Sequence, residues 1–142
     1  MMPDNGKVNK LLKTSRSHST NRVLLGDLDD QKQENIKSTI DDLDATRLLT
    51  EENGVRFTLV AVPVSAQVTT TFPGQKYQST LEQYADAAGM DYIDLLPDLR
   101  SHHEKHRESL VIPFDGHYNK PGHRVMAISV FSHMDTTGLR EQ

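Results

Sequence analysis

Hydrophobic positions change their period along the chain, and each change marks an element. In Asp29–Asn53, Ile36, Ile40, Leu43 and Leu48 recur at spacings of four, three and five. That places most of them on one stripe of a helix. Acidic residues crowd its first turns, where the helix dipole favours them, and Asn53-Gly54 is a stop signal. Val55–Pro63, VRFTLVAVP, is nearly continuously apolar and β-branched, the pattern of a strand buried on both faces. The stripe of the preceding helix is expected to cover it. Val64–Gly74 reads as a loop. Gln75–Ala88 predicts a second helix with Tyr77, Leu81, Tyr84 and Ala88 on one face, ended by Gly89. Met90–Leu96 predicts a second strand, closed by Pro97. Asp98–Ser109 is polar and His-rich, a short helix or surface loop, and Leu110–Phe114 is a short extended piece. Asn119–Met134 predicts a final helix with Asn119 as N-cap and Pro121 in its first turn.

This order of elements belongs to the α/β class, with parallel strands joined by right-handed helical crossovers. Only two strands are evident, and a parallel sheet covered on both faces needs more. The expectation is a partial domain over residues 23–134, the later part of a larger α/β domain whose N-terminal part is missing. Residues 1–22, rich in Lys, Arg and Ser, read as a disordered tail, and 135–142 as a flexible C-terminus. Length agrees with one domain, since 142 residues lie within the usual range of about 100–200. With 35% hydrophobic residues, no Trp, four Phe and four Tyr, part of the chain should lie outside the core.

Charge narrows the partners. A net charge of -4 argues against nucleic acid, whose binding domains are clearly basic. No apolar run approaches the roughly 20 residues that span a bilayer. The absence of Cys excludes disulfides, thiolate metal sites and cysteine nucleophiles, but leaves the compartment open.

Candidate chemistry concentrates in Phe114-Asp115-Gly116-His117-Tyr118-Asn119-Lys120-Pro121-Gly122-His123. A carboxylate beside an imidazole fixes its tautomer and stabilises imidazolium, as a general base requires. The intervening glycine lets both side chains face one pocket. The competing reading makes Asp115 a turn residue and His117 an ordinary surface histidine.

The run Asp-Gly-His-aromatic-Asn-x-x-Gly-His, followed by an apolar helix, resembles the last conserved block of the SGNH (GDSL-type) hydrolases. NGVRFTLVAVPVSAQV and AAGMDYIDLLPDLR resemble the strand units that precede it. The resemblance covers about residues 30–134. It implies a three-layer, flavodoxin-like sheet and hydrolysis or transfer of an ester acyl group, often acetyl on a carbohydrate, without a metal or organic cofactor. Asp115 and His117 match the Asp–His pair of the family's Ser-His-Asp triad. Their Asp-x-His spacing, shorter than the common Asp-x-x-His, is similar to the alginate O-acetyltransferase-like group, with Tyr118 where Trp is usual. The family's Gly-Asp-Ser block is not present: Gly26-Asp27-Leu28 has no nucleophile and precedes a long polar helix. The chain is therefore expected to be inactive alone.

Ser65 follows the first strand at the end where α/β proteins bind ligands. It is expected to line a pocket rather than attack, and Tyr118 and Asn119 are further candidates for substrate contact. Two alternatives stand beside the hydrolase reading. One is a non-catalytic α/β module that forms homo-oligomers through an exposed sheet edge. The other is a metal-binding domain built on His102, His103 and His106, although His103-Glu104-Lys105-His106 is one residue short of the zincin pattern H-E-x-x-H.

Overall fold

A computed structural model describes residues 30–69 and 76–136. The tail 1–22, the patch Val23–Leu25 and Gly26-Asp27-Leu28 lie outside the described residues. The elements run α1 (Asp30–Glu52), β1 (Thr58–Ala61), α2 (Ser65–Thr69), α3 (Lys76–Ala88), β2 (Asp91–Asp94), α4 (Leu96–His106) and α5 (Lys120–Thr136). The described chain is mixed α/β and mostly helical, with one small parallel sheet of order β1-β2. By contact it divides into two units. Of the described residues, 30–59 and 76–91 belong to the first, 60–69 and 92–136 to the second.

Local chemistry shapes the first unit. Its two described helices end alike. At the end of α1, the Val55 N–H reaches the Thr50 carbonyl (2.8 Å) and the Gly54 N–H reaches Glu51 (3.0 Å). At the end of α3, Met90 N–H reaches Ala85 (2.9 Å) and Gly89 N–H reaches Asp86 (3.2 Å). These paired bonds are Schellman caps, which need a left-handed residue at the stop. Gly54 (φ 68°) and Gly89 (φ 65°) supply it. Arg47 bridges Asp44 and Glu51, each at 2.9 Å, along one side of α1, and Asp44 also accepts the Tyr84 hydroxyl (3.3 Å). These neighbours push the guanidinium's pKa above its ordinary value, the Asp44 hydrogen bond most strongly.

Burial here departs from the expected stripe. Ile36, Ile40 and Leu43 are only half-buried and Leu48 is 47% exposed. No described side chain of α1 is buried. On α3 the buried positions are Gln78, Leu81 and Ala85. The expected face of Tyr77, Leu81, Tyr84 and Ala88 is therefore rotated by part of a turn, and Tyr77 is exposed.

The second unit holds a continuous core. Val68, Ile93, Leu95, Leu96, Leu99 and Leu110 are buried together, with Val60, Tyr118, Val125, Met126 and Val130 packed against them. α4 packs on both α2 and α5. The predicted strand Met90–Leu96 stops at Asp94 because Asp94 Oδ1 accepts the Leu96 N–H (2.9 Å) and starts a helix. Pro97 then sits in the first turn of α4, where its missing N–H costs nothing. Burial raises the Asp94 pKa above its ordinary value, while the Leu96 N–H and Arg100 act the other way. The predicted loop after β1 contains α2, fixed by its buried residues Gln67 and Val68. Gln67 Oε1 accepts the Val64 N–H (3.2 Å), and the Gln67 carbonyl accepts Arg100 Nε (2.7 Å).

Candidate functional site

Residues 110–119 fold back on themselves between α4 and α5. Val111 and Tyr118 form an antiparallel bridge. Around it, the Ile112 N–H reaches the His117 carbonyl (2.8 Å) and the Asn119 N–H reaches the Leu110 carbonyl (3.0 Å). The turn at the tip contains Phe114, whose backbone is left-handed (φ 66°) and whose side chain is fully exposed. A non-glycine residue in that region is strained, a state that clusters at functional sites.

Asn119 anchors the base of this loop twice. Its Oδ1 accepts the Gly122 N–H (3.0 Å), the N-cap bond that the sequence predicts for α5. Its Nδ2 donates to the Ser109 carbonyl (2.8 Å) and more weakly to Val111 (3.4 Å). Tyr118 packs inward and donates its hydroxyl to the Pro63 carbonyl (2.7 Å), two residues past the end of β1. Burial pushes this phenol up to about 12. Gly122 closes the arrangement: a Cβ there would lie 2.4 Å from the Leu110 carbonyl oxygen and 2.9 Å from the Tyr118 ring. No residue with a side chain fits without displacing backbone.

On this anchored loop the side chains of Asp115 and His117 meet. His117 Nδ1 is hydrogen-bonded to Asp115 Oδ1. In the tautomer whose Nδ1–H donates to the carboxylate, the lone pair lies on Nε2, the nitrogen a general base uses. The imidazole is 81% exposed and the carboxylate 48%. An exposed pair of this kind contributes only about 0–1 kcal/mol to folding, so stability alone is a weak reason for it. Among the described residues, Asp115 is the side chain to which His117 is hydrogen-bonded.

The other sequence candidates separate. Ser65 opens α2, partly exposed, and its carbonyl accepts the Thr69 hydroxyl (3.3 Å). The Tyr118–Pro63 bond brings the loop to the same stretch of chain, but no hydrogen bond joins Ser65 to His117. Tyr118 and Asn119 spend the polar groups just described on the fold. The His-rich segment is helical. His102 and His106 bring their rings to 4.4 Å between centroids, and His103 Nδ1 instead meets the Glu108 carbonyl at 2.9 Å. Among the described residues, no three His, Cys, Asp or Glu side chains are already gathered to hold a metal.

A groove of about 330 Å³ lies in the first unit, lined in part by Arg47, Glu51, Arg56 and Asp91. Its charges pair among themselves, with Arg56 on Asp91 at 3.0 Å and Arg47 on Glu51. It carries no net charge to attract an ion and contains none of the sequence candidates. Sequence reasoning missed the Val111–Tyr118 pairing and the exposed Phe114. The only advance signal was Pro113-Phe114-Asp115-Gly116 as a turn-forming run. Among the described residues no helix is long and apolar enough to cross a membrane. No family model, no curated protein and no solved structure matches the chain.

Proposed function

We propose that this chain carries the Asp–His half of a Ser-His-Asp triad, as the C-terminal part of an SGNH-type ester hydrolase or O-acyltransferase with a flavodoxin-like sheet. The observation that supports this most is the Asp115–His117 hydrogen bond on a loop that leads straight into a capped helix. In this reading a serine hydroxyl attacks the acyl carbonyl while His117 Nε2 accepts its proton. Asp115 holds the imidazolium that results. His117 then protonates the departing alcohol, and water or a second alcohol takes the acyl group by the reverse steps. Tyr118, Asn119 and Gly122 keep the loop in place. The serine and the oxyanion donors come from outside residues 30–134, and the substrate is an acyl ester, in SGNH hydrolases often on a carbohydrate.

The test uses an activated acetyl ester with this chain, with His117→Ala, and with the chain extended by the coding sequence immediately upstream. The chain alone should show no His117-dependent rate. Losing the nucleophile removes on the order of 10⁴–10⁶-fold of triad catalysis. An upstream in-frame Gly-Asp-Ser, with activity restored in the extended chain and lost in His117→Ala, is the expected outcome. A His117-dependent rate in the chain alone would place the nucleophile within it, with Ser65 examined first.

A second reading is favoured by the sheet itself. Among the described residues each of its two strands has one unpaired edge, and such edges recruit further strands. A stable oligomer without esterase activity, even in the extended chain, would support a non-catalytic interaction module instead.

A further inference from the structure

The end of α4 presents a second group of side chains that the esterase reading does not use. His102 and His106 are four residues apart, so their rings leave the helix on the same face. The structure places the centroids 4.4 Å apart with the planes tilted by 35°. After His106 the chain turns through Arg107, which is left-handed (φ 54°) and bonds its N–H to the His103 carbonyl (2.8 Å). That turn returns Glu108 to the helix end, where its Oε2 lies 3.2 Å from His102 Nε2. His103 is set apart, its Nδ1 on the Glu108 main-chain carbonyl.

We propose that His102 and His106 form a two-imidazole site for a divalent cation of the zinc, nickel or copper class, with water completing the coordination. Imidazole suits these ions better than it suits magnesium or calcium. With the His102 Nε2–H on Glu108 Oε2 (3.2 Å), that ring offers Nδ1 to the cation, and the carboxylate supports the ligand and offsets the charge as an outer partner. The flanking charges do not oppose it: Lys105 and Arg107 are balanced by Glu104 and Glu108. Neither the Asp115–His117 pair nor the proposed triad enters this site.

Calorimetric titration of the full chain with zinc chloride tests it, with circular dichroism confirming that each variant folds. One zinc ion per chain is expected. His102→Ala and His106→Ala should each weaken binding by more than the roughly 10–100-fold that follows loss of a supporting outer partner. Glu108→Gln should fall within that interval. His103→Ala and His117→Ala should bind as the unaltered chain does. The proposal is overturned if the chain takes up no zinc, or if the double variant lacking His102 and His106 binds as well as the original. Loss of binding in His103→Ala or His117→Ala would equally defeat the two-imidazole assignment.

Discussion

α1 and the segment 110–126 hold their shapes by opposite means. α1 has no buried side chain among those described; its own turns, the ion pairs around Arg47 and the Schellman cap at Gly54 maintain it. Segment 110–126 contains little regular pairing before α5 begins. It is fixed by partners distant in sequence, above all the Tyr118 hydroxyl on Pro63, 55 residues away, and by Leu110 in the core. The helix therefore depends on local interactions that are individually weak, whereas the loop depends on burial, where a single atom matters. The residues with candidate chemistry are carried by the loop, consistent with the general rule that functional groups sit on loops positioned by a rigid scaffold.

Substitutions in the two regions should separate sharply. Leu99→Ala, at a fully buried position beneath the loop's support, should cost about 2–5 kcal/mol in urea unfolding. A cost below about 1 kcal/mol would mean that the second unit's core is not cooperative. Gly122→Ala should cost about 1–3 kcal/mol, because the new methyl meets the Leu110 carbonyl oxygen and the Tyr118 ring. A neutral result would show that the loop base yields freely.

Alkaline titration sharpens the same contrast. Tyr118 has its pKa raised by burial to about 12, from an ordinary value of 10.0. A group whose folded pKa is raised contributes stability that is complete below its unfolded pKa and is lost as pH rises through the folded one. Stability should thus decline between about pH 10 and 12, and Tyr118→Phe should flatten that decline. Burial and Asp44 also raise Tyr84, so the check is the difference: phenolate absorbance should lose a component near pH 12 in Tyr118→Phe, and an unchanged curve would contradict the assignment.

Asn119→Ala should cost about 0.5–2 kcal/mol, the range for loss of an N-cap, and its effect should centre on the start of α5 by hydrogen exchange. The smallest change is expected for Leu48→Ala, within about 0.5 kcal/mol of the original chain. A penalty comparable to that of Leu99→Ala would mean that the exposed stripe of α1 is covered in solution.

Much of the candidate site is legible without coordinates because it is local. Asp115 and His117 are two residues apart, so the turn that joins them nearly suffices to bring their side chains together. Asn119 as a cap follows from its place before Lys120-Pro121-Gly122, and the stops at Gly54 and Gly89 follow from the helical periods that precede them. What the loop rests on was not legible. The bond to Pro63 and the contact that excludes any residue but glycine at 122 join positions with no shared pattern.

Sequence by itself determined the stops of α1 and α3 and the start of α5, because caps, glycine stops and side-chain period act within a few residues. It also brought the carboxylate and imidazole within reach of each other. Tertiary structure decided which face of α3 is buried and converted Leu95-Leu96 from the end of a strand into the entry of α4. It made a helix of the segment after β1 and folded 111–118 back as a bridged loop. Each of those outcomes depends on what covers a residue, even where a local bond such as Leu96 N–H to Asp94 then fixes the turn. Burial is settled by parts of the chain far away in sequence, and no local pattern encodes them.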